Sequence, residues 1–383
     1  MLPLVFPVAG LKKKRVRREA KITTGTADHF SFQRRRLGRK AILLSLMALF
    51  AVANAPARAQ DAVAQFYKGK EVKAYIGSTP GGGYDSYSRL LARYMGKYIP
   101  GNPTIVPVNM PGAGSNRLAT YMYSVAPKDA TEFALIFPGA VLDPLIGTQQ
   151  VQDDPSKFVY LGSANVEIFT CFVRADAPVK TFLDARKTQV LMAASAAGGS
   201  SRDMPALDNN LLGTKFRVVS GYPGSREMNL AIEQGEVHGA CGIGLSSIEI
   251  QYPDWATGDK IRILAQESTK GNAILDAKGI PLTASYAKSD EDRQIMELAY
   301  SQEVFGRPFI LPPGVPADRV VALRKAFLAT LDDKELLADA QTQRLDIAPI
   351  SGEEVQALVG KVYSFPPSIV EKTKQALIYK DPQ

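Results

Sequence analysis

Histidine and cysteine, which supply most metal ligands and many catalytic groups, are scarce in this chain. Two His and two Cys occur among 383 residues, and His238 is the one histidine beyond residue 59. The sequence has no HExxH run, no CxxC spacing and no Gly-x-Ser-x-Gly run. These absences argue against a zinc site, a dithiol redox motif and the usual hydrolase nucleophile turn. We therefore expect no catalytic residues, no metal and no cofactor.

The few reactive side chains have ordinary structural interpretations. His238 and Cys241 lie three residues apart, and on a strand such residues tend to face opposite sides, so a structural role is favoured over a nucleophile pair. Cys171 and Cys241 are either disulfide-bonded or two buried thiols. The sequence leaves both alternatives open, since it does not give the separation of the two residues.

The net charge of +8 is misleading about partners, because it comes from the N-terminal segment alone. Residues 1–59 hold 13 Lys and Arg against 2 Asp and Glu, whereas residues 60–383 hold 33 against 36. The main part of the chain is therefore mildly acidic, and we expect no nucleic-acid partner.

Residues 1–59 are predicted to be a leader with a signal peptide. A basic stretch precedes an apolar run at 41–53, and Ala57-Arg-Ala59 matches an A-x-A cleavage site. A membrane anchor is the alternative, but the apolar run is shorter than the roughly 20 residues that span a bilayer. We expect cleavage near Ala59, export to the periplasm and no stable membrane insertion afterwards.

The rest of the chain alternates short β-branched runs with helical patterns, which is typical of α/β folds with parallel strands and crossover helices. Roughly 320 residues suffice for two domains of ordinary size. The predicted strands are Val72–Ile76, Ile105–Val108, Phe133–Phe137, Ile168–Val173, Val190–Ala194, Phe216–Val219, Ile261–Ala265 and Phe309–Leu311.

Two glycine-rich runs, Gly77–Asp85 and Asn109–Ser115, each follow a predicted strand and precede a helical pattern. Glycine lets a ligand approach the backbone closely, and the free N–H groups of a helix N-terminus favour an anion. The first run has Gly83 and Tyr84 where a P-loop has Lys and Ser or Thr, and the second lacks the third glycine of a dinucleotide motif. The pattern predicts capture of a small carboxylate rather than of a nucleotide.

Further small-residue turns follow other predicted strands. If the sheets are parallel, all these turns lie at the carboxyl ends of strands, where open α/β sheets bind ligands. The additional turns are Phe137–Ala140, Ala194–Ser201, Gly221–Ser225 and Cys241–Ser247.

These motifs resemble the extracytoplasmic receptors of tripartite tricarboxylate transporters, also called Bug receptors. The resemblance covers about Phe66 to Leu358. It rests on Pro80-Gly-Gly-Gly-Tyr-Asp85, Asn109-Met-Pro-Gly-Ala-Gly114, Ala126-Pro-Lys-Asp129, Asp176-Ala-Pro-Val-Lys-Thr181, Gly221-Tyr-Pro-Gly224, Gly306-Arg-Pro-Phe309 and Pro312-Pro-Gly-Val-Pro316.

The resemblance implies a two-lobed periplasmic-binding-protein fold of type II, or Venus flytrap, with a mainly parallel sheet in each lobe and crossing hinge strands. Lobe 1 is expected to comprise 60–166 and 267–383, and lobe 2 to comprise 167–266. The implied function is capture of a small organic acid and its delivery to the membrane subunits of a transporter. We expect a monomer that is not an enzyme.

Carried over to this sequence, the family's binding turns predict ligand contacts in both lobes. In lobe 1 they are Thr79, Gly81, Gly82, Tyr84, Asp85, Ala113, Gly114, Ser115, Pro138 and Gly139, and in lobe 2 Ser195, Ala197, Gly198, Ser200, Ser201, Tyr222 and Gly224. Asp85 has a second interpretation as a helix cap, which we favour. Arg117, Arg202 and Arg226 are candidates to pair with a second carboxylate of the ligand.

Two other functions remain open at this stage. One is a secreted enzyme acting on a small carboxylic acid through two carboxylates, and the other is an exported scaffold that binds a protein. The sequence does not name the ligand, because backbone amides recognise a carboxylate whatever is attached to it. Nor does it give the oligomeric state, the true start codon, the export route, or whether the role is transport or sensing.

Overall fold

The computed structural model describes residues 61–147, 151, 153–255 and 258–382. The predicted signal peptide, with its apolar run at 41–53 and its cleavage point near Ala59, lies outside the described residues. Residues 61–67 are helical and are labelled α1. No helix among the described residues is long and apolar enough to cross a membrane.

One sheet has six strands in the order β11-β4-β10-β3-β1-β2. Strands β1, β2 and β3 pair in parallel, whereas β10 is antiparallel to both its neighbours and β11 is antiparallel to β4. The strands are β1 (Glu71–Ile76), β2 (Thr104–Asn109), β3 (Glu132–Leu135), β4 (Val159–Ser163), β10 (Pro308–Leu311) and β11 (Ile350–Ser351).

The second sheet has five strands in the order β7-β6-β8-β5-β9. Strand β6 pairs in parallel with β7 and β8, and β5 is antiparallel to β8 and β9. The strands are β5 (Phe169–Arg174), β6 (Val190–Ala194), β7 (Phe216–Ser220), β8 (Gly239–Gly244) and β9 (Ile261–Glu267).

Helices cover the faces of both sheets, because each helix buries one apolar stripe. We call the six-stranded sheet with α1–α4 and α10–α12 lobe 1, and the five-stranded sheet with α5–α8 lobe 2; α9 and α13 pack on each other beside them. The bounds are α2 (Gly83–Met95), α3 (Asn116–Ser124), α4 (Pro138–Ile146), α5 (Ser200–Leu207), α6 (Ser225–Glu233), α7 (Leu245–Gln251), α8 (Ala273–Ala277), α9 (Asp290–Tyr300), α10 (Ala317–Leu331), α11 (Lys334–Gln343), α12 (Gly352–Val362) and α13 (Pro367–Leu377).

The predicted two-lobed α/β fold is present, but the expectation of mainly parallel sheets is wrong, because both sheets are mixed. All eight predicted strands form within two residues of the expected bounds. The sequence analysis missed β4, β8 and β11. Strand β8 has the sequence Gly-Ala-Cys-Gly-Ile-Gly, and its residues from Cys241 onward were predicted to form a turn. Glycine is needed there because a Cβ atom on Gly239 would overlap the carbonyl oxygen of Phe172 on β5.

The chain passes between the lobes after β4 and again between α8 and β10. The expected lobe boundaries at 166/167 and 266/267 stay a prediction. The C-terminal end also contacts lobe 2: the Tyr379 hydroxyl accepts the N–H of Val218 at 2.8 Å, and Arg202 donates to the carbonyl of Leu377 at 2.8 Å. The last residues of the chain therefore form a further link to lobe 2.

Cys171 and Cys241 form a disulfide between the adjacent strands β5 and β8. Both residues are fully buried. The open alternative of two free thiols is thus decided in favour of a bridge, which fits an oxidising compartment.

We expect the bridge to stabilise lobe 2 mainly through the unfolded chain. It closes a loop across a sequence separation of 70 residues, and loop-closure entropy for such a loop corresponds to about 4 kcal/mol. The double variant Cys171→Ala/Cys241→Ala should therefore unfold at clearly lower urea concentration than the wild type. Equal midpoints for the double variant and for the oxidised protein, with alkylation confirming the absence of free thiols in the latter, would contradict this expectation.

Candidate functional site

A crevice between the two lobes gathers the glycine-rich turns of both. One wall comes from lobe 1 and the other from lobe 2, including the residues that begin α5, α6 and α7. Its lining consists of Ser78, Thr79, Gly82, Gly83, Tyr84 and Phe137 on one side and Phe169, Ser195, Ser200, Ser201, Gly224, Ser225, Met228, Gly242, Ile243, Gly244 and Ser247 on the other.

Seven of the predicted ligand contacts line this crevice, and they come from both lobes. The carboxyl ends of β1 and β6 carry the first turn of each wall, as expected from the position of binding sites in open α/β sheets. The seven are Thr79, Gly82, Tyr84, Ser195, Ser200, Ser201 and Gly224.

The helices that begin at the crevice have no side-chain cap. The N-cap residues of α2, α5 and α6 are Gly82, Gly199 and Gly224, and none has a side chain that could accept from the first-turn N–H groups. The N-cap of α4 is Phe137, which likewise makes no capping bond. The first four N–H groups of a helix have no partner in its regular hydrogen-bond pattern, which leaves amides for an external acceptor. In α5 the N–H groups of Gly199 and Arg202 already donate to the carbonyls of Ala196 and Gly199, so the amides available there are those of Ser200 and Ser201.

Four helices that begin elsewhere have a side-chain cap, whereas α10 and α13 have none. Asn272, Ser289, Asp333 and Ser351 accept N–H groups at the starts of α8, α9, α11 and α12. A side-chain cap contributes about 1 kcal/mol. The helices that begin at the crevice lack this stabilisation. The positive ends of their dipoles point towards the same small space.

The two walls touch in this conformation. The Thr79 hydroxyl donates to Glu227 Oε2 at 3.0 Å across the crevice. The cavity between the walls has a volume of about 40 Å³, which is room for a few water molecules at roughly 10–15 Å³ each. The structure is therefore a closed form.

Three of the predicted glycines lie at the contact between the lobes rather than in the cavity lining. A Cβ atom on Gly139 would overlap the carbonyl oxygen of Gly198, and one on Gly114 would lie 2.9 Å from the nitrogen of Gly199. Gly198 has φ +86° and itself lies against the carboxylate of Asp143. These positions are glycine because the backbones of the two lobes meet there.

Asp85 and Gly81 have internal partners. The Asp85 carboxylate is buried and accepts the N–H of Gly81 at 2.8 Å, the Nε of Arg89 at 2.9 Å and the amide of Asn109 at 2.8 Å. This carboxylate therefore ties the first two glycine turns together and does not line the crevice. Gly81 faces Arg226 of lobe 2, whose Nη1 would be 3.3 Å from a Cβ atom placed on the glycine.

The second glycine turn has an unusual backbone. Ala113, Gly114 and Ser115 have φ of +48°, +62° and +78° in succession, a region that costs non-glycine residues of order 1–3 kcal/mol. The Ser115 hydroxyl donates to the carbonyl of Gly77 at 3.3 Å and so joins this turn to the first one. Strained backbone that is held in place by its surroundings is frequent at ligand sites.

The remaining predicted contacts lie outside the cavity lining. Pro138 starts α4 beside the lobe contact, and Ala197 lies in the turn before α5. Tyr222 is half-buried and packs against the core of lobe 2, while its N–H donates to Ala194. His238 has the expected structural role, since its Nδ1 accepts the N–H of Leu191 at 3.0 Å.

A buried ion pair lies behind Tyr84 at the floor of the crevice. Arg307 Nη2 is 2.8 Å from Glu167 Oε2, and both side chains are almost fully buried. The same guanidinium donates to the hydroxyls of Ser246 and Ser247 at 2.7 and 3.1 Å and lies 4.1 Å from the ring of Tyr84. Arg307 precedes β10 in lobe 1, whereas the serines begin α7 in lobe 2, so the cluster joins the lobes. Burial raises the pKa of Tyr84 to about 12, and its hydroxyl stays protonated.

Sequence analysis missed several members of this site, for different reasons. Ser225, Gly244 and Ser247 lie in small-residue turns that it identified but did not carry into the list of contacts. Phe169, Met228 and Ile243 carry no signal, since apolar residues of this kind are usually core. Glu167 and Arg307 become partners only through the three-dimensional fold, although Arg307 lies in a quoted motif.

Two carboxylates meet beside the lobe contact. Asp143 of α4 accepts from the amide of Asn116, and burial raises its pKa to about 6. Asp203 of α5 accepts the N–H of Gly198 at 3.3 Å and lies 3.5 Å from Arg202. Burial, and next the charge of Asp143, raises the pKa of Asp203 to about 7. The closed form therefore holds protons that the unfolded chain releases at lower pH.

No protein-family model matches the sequence, and curated proteins give no match, but solved structures do. The periplasmic binding protein BugD superposes with a TM-score of 0.64 at 20% identity, over 81% of this chain and 98% of its own. MatC from Rhodopseudomonas palustris, solved with bound malate, has a TM-score of 0.63 at 18% identity over 79% and 99% of the two chains. Rpa4515 from R. palustris, solved with adipate, has 0.62 at 20% identity over 80% and 97%.

The likeness to these structures shows the fold of this chain, which is that of a two-lobed periplasmic binding protein. It extends over nearly the full length of each neighbour, so no large part of their architecture is missing here. The similar structures are binding proteins rather than enzymes.

We expect the Arg307–Glu167 pair to behave as one unit. Glu167→Gln leaves a buried guanidinium without its counter-charge, which costs about 3–5 kcal/mol of unfolding free energy. Adding Arg307→Met removes that charge, so the double variant should be no less stable than Glu167→Gln alone. Urea unfolding of the two single variants and the double variant measures the coupling, and additive losses would contradict it.

Asp203→Asn should change how stability depends on pH. Because the native pKa of Asp203 is raised to about 7, its contribution to stability is full below the unfolded pKa of about 3.9 and is lost as pH rises to about 7. The stability of the variant relative to the wild type should therefore rise between these pH values, as measured by urea unfolding. The control is Asp176→Asn, since the hydrogen bond from Arg174 lowers the pKa of Asp176 and the change has the opposite sign. A pH-independent difference for Asp203→Asn would refute the expectation.

Proposed function

We propose that this chain is an extracytoplasmic solute-binding receptor of the tripartite tricarboxylate type, which captures a small organic acid between its lobes. The observation that carries the proposal is the convergence of helices with uncapped N-termini on one crevice, with Gly82, Gly199 and Gly224 as N-cap residues. A carboxylate placed there accepts the N–H groups that a side-chain cap would otherwise satisfy. Charge-assisted bonds of this kind contribute roughly 1.5–3 kcal/mol each.

Closure of the lobes adds the hydrogen bonds from the second wall to those from the first. Lobe 1 offers the amides at the start of α2, and lobe 2 offers those at α5 and α6, so a ligand contacts both sets only in a closed form. The ligand then shifts the population towards closure by its greater affinity for that form. In the bound protein, the crevice is wider than in the present form, whose cavity of about 40 Å³ is too small for the acid, while the backbones at Gly139 and Gly198 beside it still come together.

Among the candidate arginines, Arg226 is best placed for a second carboxylate of the ligand. Its guanidinium lies over Gly81 at the crevice, it is exposed, and it forms no ion pair among the described residues. Arg202 already contacts Asp203 and the carbonyl of Leu377. Arg117 is exposed and donates to the carbonyl of Pro111 at 3.4 Å in its own turn. A diacid is therefore the favoured ligand class, in line with the malate and adipate found in MatC and Rpa4515.

The residues that line the crevice do not favour the alternative of a secreted enzyme, and the carboxylates Asp143 and Asp203 lie at the lobe contact beside it rather than in the lining. The lining holds serines, glycines and apolar residues, and no carboxylate or imidazole lies among them. Asp85, which the enzyme hypothesis needs as an acid or base, is bonded within lobe 1. The further parts of the proposal are location in the periplasm and delivery of the ligand to membrane subunits of a transporter.

A thermal-shift series with dicarboxylates tests the proposal. We expect malate or adipate to raise the melting temperature and the uncharged adipamide to leave it unchanged, because the amides recognise negative charge. At 100 times the dissociation constant the stabilisation is about 2.7 kcal/mol. Recovery of unchanged ligand by NMR supports a receptor, whereas turnover would support the enzyme.

Gly139→Ala tests whether closure is needed for binding. The added Cβ atom would overlap the carbonyl oxygen of Gly198 across the crevice, so ligand affinity should fall at least about tenfold, or 1.4 kcal/mol. Gly360→Ala is the matched control, since this helical glycine has open space around it. Equal affinity in the two variants, or an equal shift with adipamide and adipate, would overturn the proposed mode of binding.

A further inference from the structure

A second cavity lies apart from the crevice and shares no lining residue with it. It has a volume of about 470 Å³ and lies between α9, α12 and the segment that follows β9. Pockets that bind small molecules typically have volumes of roughly 300–1,000 Å³, an apolar lining and a few polar groups. The crevice, at about 40 Å³, is more than tenfold smaller in this closed form.

The inner surface of this cavity is apolar. Met296, Tyr300 and Phe305 are fully buried and Val362 is 5% exposed. Leu358 and Phe365 of the α12 region extend the same surface and are partly buried. Burial of a ligand's apolar surface here favours its binding.

The outer edge of the cavity carries an excess of positive charge. Lys270, Arg293 and Lys361 line it and are exposed, against the single carboxylate of Glu297. Among the described residues, Lys270 and Lys361 form no ion pair, and the partner of Arg293 is the 92% exposed Asp290. Two basic groups are thus available at the mouth of an apolar cavity, a combination that complements an anion with an apolar body.

We propose that this cavity is a second binding site, for a small organic acid whose carboxylate meets Lys270 and Lys361 and whose hydrocarbon part packs on the partly exposed Leu358 and Phe365. The charge excess at the edge selects the anion, and the apolar floor excludes compact polyacids whose further carboxylates would be buried without partners. The ligand class therefore differs from the diacids proposed for the crevice.

The position of the cavity gives its occupant a contact with the connection between the lobes. Helix α9, Ser301 and Phe305 line the cavity and lie in the segment between α8 of lobe 2 and β10 of lobe 1. Glu303 accepts the Ser268 hydroxyl at 2.7 Å and the N–H of Thr269 at 3.3 Å, and its carbonyl accepts the N–H of Glu167 at 3.0 Å from the other connection. A ligand in this cavity packs against residues on either side of Glu303 in sequence, so its binding is expected to influence the opening of the crevice.

Calorimetric titration of the intact protein tests the proposal with octanoate, phenylacetate, octanol and acetate. We expect saturable binding of octanoate or phenylacetate, weaker binding of octanol, which lacks the charge, and none of acetate, which lacks the apolar body. Preference for octanoate points to acyl chains of lipid origin, and preference for phenylacetate to soluble aromatic acids. Absence of saturable binding of both acids at millimolar concentration would overturn the proposal.

Variants locate the site. Lys270→Ala/Lys361→Ala should lower the affinity for the preferred acid about tenfold, whereas the control Lys325→Ala/Lys334→Ala, which removes the same charge from exposed positions of lobe 1, should leave it unchanged. Unchanged affinity in the first pair would refute the assignment. Loss of this binding in Gly139→Ala, with the lysine variants unaffected, would place the acid in the crevice instead. Since diacid binding in the crevice is measured separately, failure of one proposal leaves the other testable.

Discussion

The buried pair of Arg307 and Glu167 connects more parts of this molecule than any other polar contact described here. Glu167 lies in the segment that passes between the lobes, Arg307 precedes the central strand β10, and the guanidinium reaches Ser246 at the start of α7. It also lies against Tyr84 in the crevice wall. Two charges removed from water are tolerated only with close pairing and further hydrogen bonds. The relative positions of the two walls therefore depend on this one contact.

The crevice around that contact depends on the absence of side chains at several positions. Helices α2, α5 and α6 begin with glycine, so their first N–H groups are left for a partner from outside the protein. The glycines Gly139 and Gly198 let the two backbones touch when the lobes close. Recognition through main-chain amides accounts for a site that contains so few titratable groups.

The sequence predicted much of the fold and fewer than half of the residues that line the crevice. Strands such as β1 and β6 were identifiable because a β-branched or apolar run precedes a glycine turn, whereas β8 was hidden by its three glycines. Thr79, Ser200 and Gly224 were found because a turn after a strand lies at the ligand side of an α/β sheet. The roles of Gly198 and Asp85 could not be predicted from the sequence. Gly198 contacts Asp143 and Asp85 contacts Asn109 only in the folded protein. Pairing of β10 with β3 and β4 likewise gives an antiparallel centre that local patterns do not reveal.

The C-terminal residues limit how the lobes move. Leu377 and Tyr379 are bonded to Arg202 and Val218 of lobe 2, while α13 packs against α4 of lobe 1 and against α9. The halves are thus joined by two strand connections and by the tail of the chain. With three attachment points, sliding of one half along the other would break at least one of them. Opening of the crevice therefore involves the two strand connections and the C-terminal tail together, so a change in the tail should alter closure as much as a change in a hinge strand.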